Sequence, residues 1–100
     1  YIFIDCILSS DTNQPFTYLG RPWRDFAKVV FLNCYMGPHI IKEGWHDWNK
    51  KDAQNTVFFA EYNSRGPGAL IKDRVHWAKI LVEKEARVFF EFVERTKKFF

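Results

Sequence analysis

The residues best suited to chemistry lie in one short run, Tyr18-Leu19-Gly20-Arg21-Pro22-Trp23-Arg24. Gly20 allows a backbone turn closed to other residues. Pro22 fixes its own φ and biases Arg21 towards extended geometry. In an extended stretch, residues two apart project to the same face, so Arg21 and Trp23 stand side by side. The run therefore presents a planar guanidinium beside a large flat aromatic. A carboxylate matches the first, because the fork of donors can meet it bidentately, lower its pKa and fix its orientation. A sugar ring matches the second, through its C–H face and one indole N–H. Taken alone, such a pair is more often a surface or packing arrangement, with the arginine stacked on the ring.

Other side chains with chemical potential are read more plainly. His39, His46 and His76 show neither HExxH spacing nor a short His-x-His pair, so surface or structural roles are expected and no metal site is predicted. Cys6 and Cys34 form no CxxC pair, which excludes zinc-ribbon and thioredoxin-like chemistry. Glu61 is expected to pair with Arg65 or Arg74 at a strand end rather than to act as an acid. Trp45 and Trp48 either wall a cleft or pack beneath a long loop. Gly66-Pro67-Gly68 lacks the context of a phosphate loop and reads as a turn.

The elements that must position these residues follow from an internal repeat. Three strand-like segments can be superposed, with Phe3, Phe31 and Phe58 as equivalent positions. The pairs Asp5-Cys6, Asn33-Cys34 and Ala60-Glu61 follow them. Each copy is an apolar, β-branched or aromatic run followed by turn-prone residues. Repeats of this length indicate stacked units. Strands with little helix between them fit successive coils of a parallel β-helix, in which equivalent residues stack at the inter-strand spacing of ~4.8 Å. Cys6 and Cys34 then become inward-facing neighbours, read as buried free thiols. Asp5 is assigned to a turn or a rung edge. Periodicity alone also leaves an ordinary β-sandwich open. The polar stretch 9–17, the segment 37–55 and the turn-rich 63–69 are loops that would emerge on one side.

The tail has a different period. Ala86, Phe89, Phe90 and Val93 share one helical face, and charges alternate in sign from Glu83 to Lys98. An amphipathic helix is predicted there, capping the exposed edges of the stack. Residues 1–100 are thus taken as part of one domain, with rungs and loops over about 1–81 and the capping helix and tail over 82–100.

Composition limits the partners. Hydrophobic residues make up 47% of the chain, which excludes disorder. The net charge of +3 suits an acidic polymer without requiring one. The Lys/Arg stripe that nucleic acid would need is missing, and no apolar run reaches the ~18 residues of a membrane span. The chain starts on an apolar strand with no initiator Met, so a piece of a longer protein is expected.

The motif Leu19-Gly20-Arg21-Pro22-Trp23-Arg24 resembles the active-site signature of the pectin methylesterase (pectinesterase) family. Three more matches follow in the family's order. Glu43-Gly44-Trp45-His46-Asp47-Trp48 is similar to its Gly-Trp-x-x-Trp segment, the run Ala60 to Ala69 to its Ala-Glu-Tyr…Gly-Pro-Gly-Ala segment, and Arg74-Val75-His76-Trp77 to its Arg-Val-x-Trp. The resemblance implies an all-β fold, a right-handed single-stranded parallel β-helix. It also implies hydrolysis of methyl esters on polygalacturonate, releasing methanol, without metal or cofactor. The expected partner is methyl-esterified homogalacturonan (pectin), with no nucleic acid and no membrane. A monomer that is secreted, periplasmic or at the cell surface is expected. In the family one Asp attacks the ester, a second Asp is acid and base, and a Gln stabilises the oxyanion. The family's nucleophile segment has no match here, and Asp5 and Asp11 are not promoted to its role. Arg21 is therefore assigned to supporting the nucleophilic Asp and Trp23 to binding substrate. The isolated 100 residues are expected to be inactive. The alternative is a non-catalytic, carbohydrate-binding β-helix that kept the cleft and lost the carboxylates.

Overall fold

The computed structural model describes residues 1–11, 14, 17–22, 26–47 and 51–97. Its strands are short and apolar. They are β1 (Ile2–Ile4), β2 (Ile7–Leu8), β3 (Lys28–Leu32), β4 (Tyr35–Met36), β5 (Phe58–Tyr62) and β6 (Lys79–Ile80). A four-residue helix, α1 (Ala53–Thr56), precedes β5, and a longer one, α2 (Glu83–Lys97), ends the described chain. Among the described residues every strand pairing is parallel. One sheet has the order β1-β3-β5-β6, and a second joins β2 to β4. A third line of contact is made by the parallel bridges Thr17↔Ile40 and Gly20↔Trp45.

Alternation along the strands explains why both faces of the larger sheet are covered. Val30 and Leu32 of β3, Ala60 of β5 and the half-buried Ile2 and Ile4 of β1 point to one side, where Leu81 and Ala86 close over them. Phe31 and Phe59 point to the other side and pack with Trp45, Met36 and Ile40. Phe3 stacks on Phe31 with ring centroids 4.9 Å apart, and Phe59 stacks on Trp45 at 4.5 Å. Burying a side chain of this size contributes about 1.5–3 kcal/mol.

The corner between the two sheets is made by a left-handed residue in each repeat. Asp5, Asn33 and Asn63 have φ of 55°, 55° and 53°. Asp and Asn enter this region more readily than other residues with a Cβ. Asn63 Nδ2 donates to Asn33 Oδ1 at 3.0 Å, which ties two corners together. Asp5 thus occupies the turn expected of it.

These corners correct the register read from the sequence. Phe3 pairs with Phe31 as expected, but Phe31 pairs with Glu61, and Phe58 stands beside Lys28. The second interval is therefore 30 residues, with Asn63-Ser64 in place of Ala60-Glu61. The segment between β4 and β5 contains α1 and is longer than its predecessor. The aromatic start of β5 imitates an alignment that the left-handed corner does not permit.

Cys6 and Cys34 are free as expected; Cys34 is buried, but Cys6, nearer the start of the stack, is only half-buried. The Cys34 thiol donates to Leu32 O and Phe3 O at 3.4 and 3.5 Å. Burial pushes its pKa up, against a smaller lowering by the backbone of Cys6.

Helix α2 forms where an amphipathic helix was expected, but its apolar stripe packs on the face of the larger sheet and not over the exposed edges of the stack. At its start the Glu85 carboxylate reaches back to accept from the Val82 backbone N–H at 3.1 Å, half of a capping box. Ala86 is buried and Phe89 and Phe90 are half-buried in the cluster over the sheet, and Phe89 meets Phe58 with centroids 5.8 Å apart. The helix lies on the face of the sheet, where the side chains of β1, β3 and β5 emerge. No helix among the described residues is long and apolar enough to cross a membrane.

Candidate active site

Arg21 is placed by a segment that is stitched to the loop following β4. Thr17 N donates to His39 O and Ile41 N to Thr17 O, both at 2.9 Å. Leu19 N donates to Gly44 O at 2.6 Å and His46 N to Gly20 O at 3.2 Å. Gly20 is needed here for a different reason from the one expected. Its φ is not in the left-handed region; instead, a Cβ on it would stand 3.0 Å from Trp45 Cζ3. The indole lies against the glycine, so the motif glycine is a packing requirement. Pro22 is fully buried and anchors the chain on the far side of Arg21.

Arg21 itself is exposed. Its Cζ lies 5.3 Å from the centre of the Tyr18 ring, within the range of a cation–π contact. The Tyr18 ring in turn meets the His46 ring, with centroids 4.9 Å apart and planes inclined at 46°. Among the described residues no carboxylate pairs with Arg21. Trp23, its expected companion, lies outside the described residues, as does Trp48.

Beside Tyr18 is a cavity of about 260 Å³, lined among others by Glu43, His46, Asp47, Gln54 and Trp77. Gln54 Nε2 donates to Asp47 Oδ2 at 2.8 Å across its wall. Trp45 also reaches this cavity, although only 1% of its surface is exposed, and its Nε1 has no hydrogen-bond partner. Trp45 is thus mainly a core residue that contributes one edge to the lining. Among the described residues no group of three or more His, Cys, Asp or Glu is placed to hold a metal ion.

Among the described residues the buried salt bridge does not include Arg21. Glu61 and Arg74 form a buried pair, with Nε to Oε2 at 2.7 Å and Nη2 to Oε1 at 3.2 Å. Arg65 takes no part in it and reaches Asn33 O instead. Arg74 also donates to Lys42 O at 3.0 Å and Gly68 O at 2.9 Å, and Ser64 Oγ donates to Glu61 at 2.9 Å. These bonds satisfy both charges, which burial would otherwise penalise. Their effect is to bind the 41–44 backbone, which carries the Thr17 and Leu19 pairings and runs on into the Gly20 pairing, to the main sheet.

Sequence reasoning identified Arg21 and the Glu61–Arg74 alternative. It missed Tyr18 and His46 as neighbours of the arginine. Tyr18 was visible at the start of the motif. The folding of loop 41–46 alongside it was not, because that pairing is between segments far apart in the chain.

The sequence model of the Pectinesterase family matches residues 2–97. Among curated proteins of Arabidopsis thaliana, Pectinesterase 31 is 36% identical over 86% of this chain and 27% of its own length. Putative pectinesterase 11 is 38% identical over 89% of this chain and 24% of its own. Pectinesterase QRT1 is 39% identical over 89% and 23%. The chain therefore spans about a quarter of the length of these curated relatives. With parallel strand ladders, an exposed motif arginine and a match along nearly all of its length, the chain belongs to the pectinesterase family.

Proposed function

We propose that the whole protein is a carboxylic ester hydrolase that removes methyl groups from pectin, with polygalacturonate and methanol as products. Within it residues 1–100 form part of a right-handed parallel β-helix domain, whose coils are the ladders through β1-β3-β5-β6, β2-β4 and the Thr17 and Gly20 bridges. Residues 82–100 supply the helix and tail on its flank. Arg21 holds a nucleophilic Asp supplied by a part of the protein outside these 100 residues, and Trp23 receives the sugar. The enzyme works as a monomer at the cell wall or outside the cell.

The observation that carries this reading is the state of Arg21. Its guanidinium is exposed, is held against Tyr18, and meets no carboxylate among the described residues. A cation in that state is available to keep an incoming carboxylate ionised and oriented, as a carboxylate nucleophile requires. The neighbouring cavity, lined by polar and aromatic side chains together, fits a carbohydrate chain better than an apolar ligand. The test is methanol release from methylated pectin by the full-length protein. Binding of pectin without release of methanol would instead support the non-catalytic carbohydrate-binding reading.

A further inference from the structure

We propose that Tyr18 is a positioning residue for Arg21. The inference rests on the role given to Arg21 above. An arginine side chain has many rotamers, and holding it in one of them costs entropy. Arg21 is exposed, and no described residue other than Tyr18 is recorded against its guanidinium. The 5.3 Å approach to the ring selects a subset of its rotamers before any carboxylate arrives.

The ring is itself fixed. Tyr18 lies between Thr17, which is bridged to Ile40, and Gly20, which is bridged to Trp45. The His46 ring, on the residue that donates its N–H to Gly20 O, packs on Tyr18 at 4.9 Å. The contact to Arg21 is therefore mounted on backbone pairings and not on a free loop. The phenol hydroxyl is not needed for this; the aromatic face is.

The experiment uses the full-length protein and its Tyr18→Leu, Tyr18→Phe and Arg21→Ala variants, with pectin methyl-ester hydrolysis and the NMR signal of the Arg21 side-chain Nε–Hε group as readouts. In the wild type that signal carries a ring-current shift, which Tyr18→Phe keeps and Tyr18→Leu abolishes. Tyr18→Leu lowers kcat about two- to thirtyfold, the range a cation–π contact spans, with KM little changed. Tyr18→Phe restores most of the rate. Adding Tyr18→Leu to Arg21→Ala causes no further loss. Wild-type kcat in Tyr18→Leu while Arg21→Ala is impaired overturns the proposal, as does an equal loss from Tyr18→Leu in the Arg21→Ala background. If Arg21→Ala keeps full activity, the catalytic role of Arg21 falls. The NMR signal then decides the contact alone, and its lack of a ring-current shift in the wild type overturns the positioning even if no variant folds.

Discussion

Arg74 Nε stands 2.7 Å from Glu61 Oε2, and both side chains are almost wholly removed from solvent. The pair sits where three segments meet, because Arg74 also holds the carbonyls of Lys42 and Gly68. Removing one partner leaves a buried charge without compensation, at a cost of about 3–5 kcal/mol. Arg74→Ala and Glu61→Ala are therefore expected to lower the stability of the full-length protein by that amount in denaturant titration. Because the strapped backbone continues into the Leu19 and Gly20 pairings, variants that still fold should also lose activity.

Gly44 adopts φ of 79°, and a Cβ there would stand 2.5 Å from Arg74 Cδ. Gly44→Ala combines a left-handed backbone penalty of about 1–2 kcal/mol with overpacking of about 1–3 kcal/mol. The thermal unfolding midpoint of the full-length protein should fall by several degrees.

The left-handed corners separate two effects at one position. Asn63→Ala loses the bond to Asn33 and replaces a residue that tolerates φ of 53° by one that tolerates it less well, which should cost about 1–2 kcal/mol. Asn63→Gly loses the bond but relieves the backbone, and should be the milder change. Chemical denaturation of both variants checks the order.

Cys34 gives a pH dependence. Its pKa in the folded state is raised, with burial the largest cause. The folded protein therefore keeps the thiol proton at pH values where the unfolded chain releases it. This contribution to stability is complete below the ordinary thiol range, about 8.5, and is lost as pH rises from there through the folded value. Stability should decline on the alkaline side, and Cys34 should react with alkylating reagents far more slowly than a free thiol, as mass spectrometry of the labelled protein would show.

Much of this was legible in the sequence, for reasons that can be named. Helix α2 was found from the spacing of Ala86, Phe89 and Phe90, since one packed face imposes one period. The Phe3–Phe31 stacking and the paired thiols followed from the first repeat. The second repeat was misplaced because its register is set by the left-handed Asn63, which hydrophobic pattern does not reveal, and not by Phe58. At the site, the motif that carries Arg21 was readable from residue type, whereas Tyr18 as the ring against it was not. The role of Gly20 was not, because it depends on Trp45 arriving from a distant loop. The same loop brings His46 against Tyr18, a contact that no local spacing predicts.

The central claim is that Arg21 serves a carboxylate that attacks a methyl ester. The most direct measurement is the rate of methanol release from methylated pectin by the full-length protein and its Arg21→Ala variant. The account predicts turnover in the wild type and a loss on the order of a hundredfold in the variant, equivalent to about 2.7 kcal/mol of barrier, with the fold intact. Equal rates in the two proteins would contradict it.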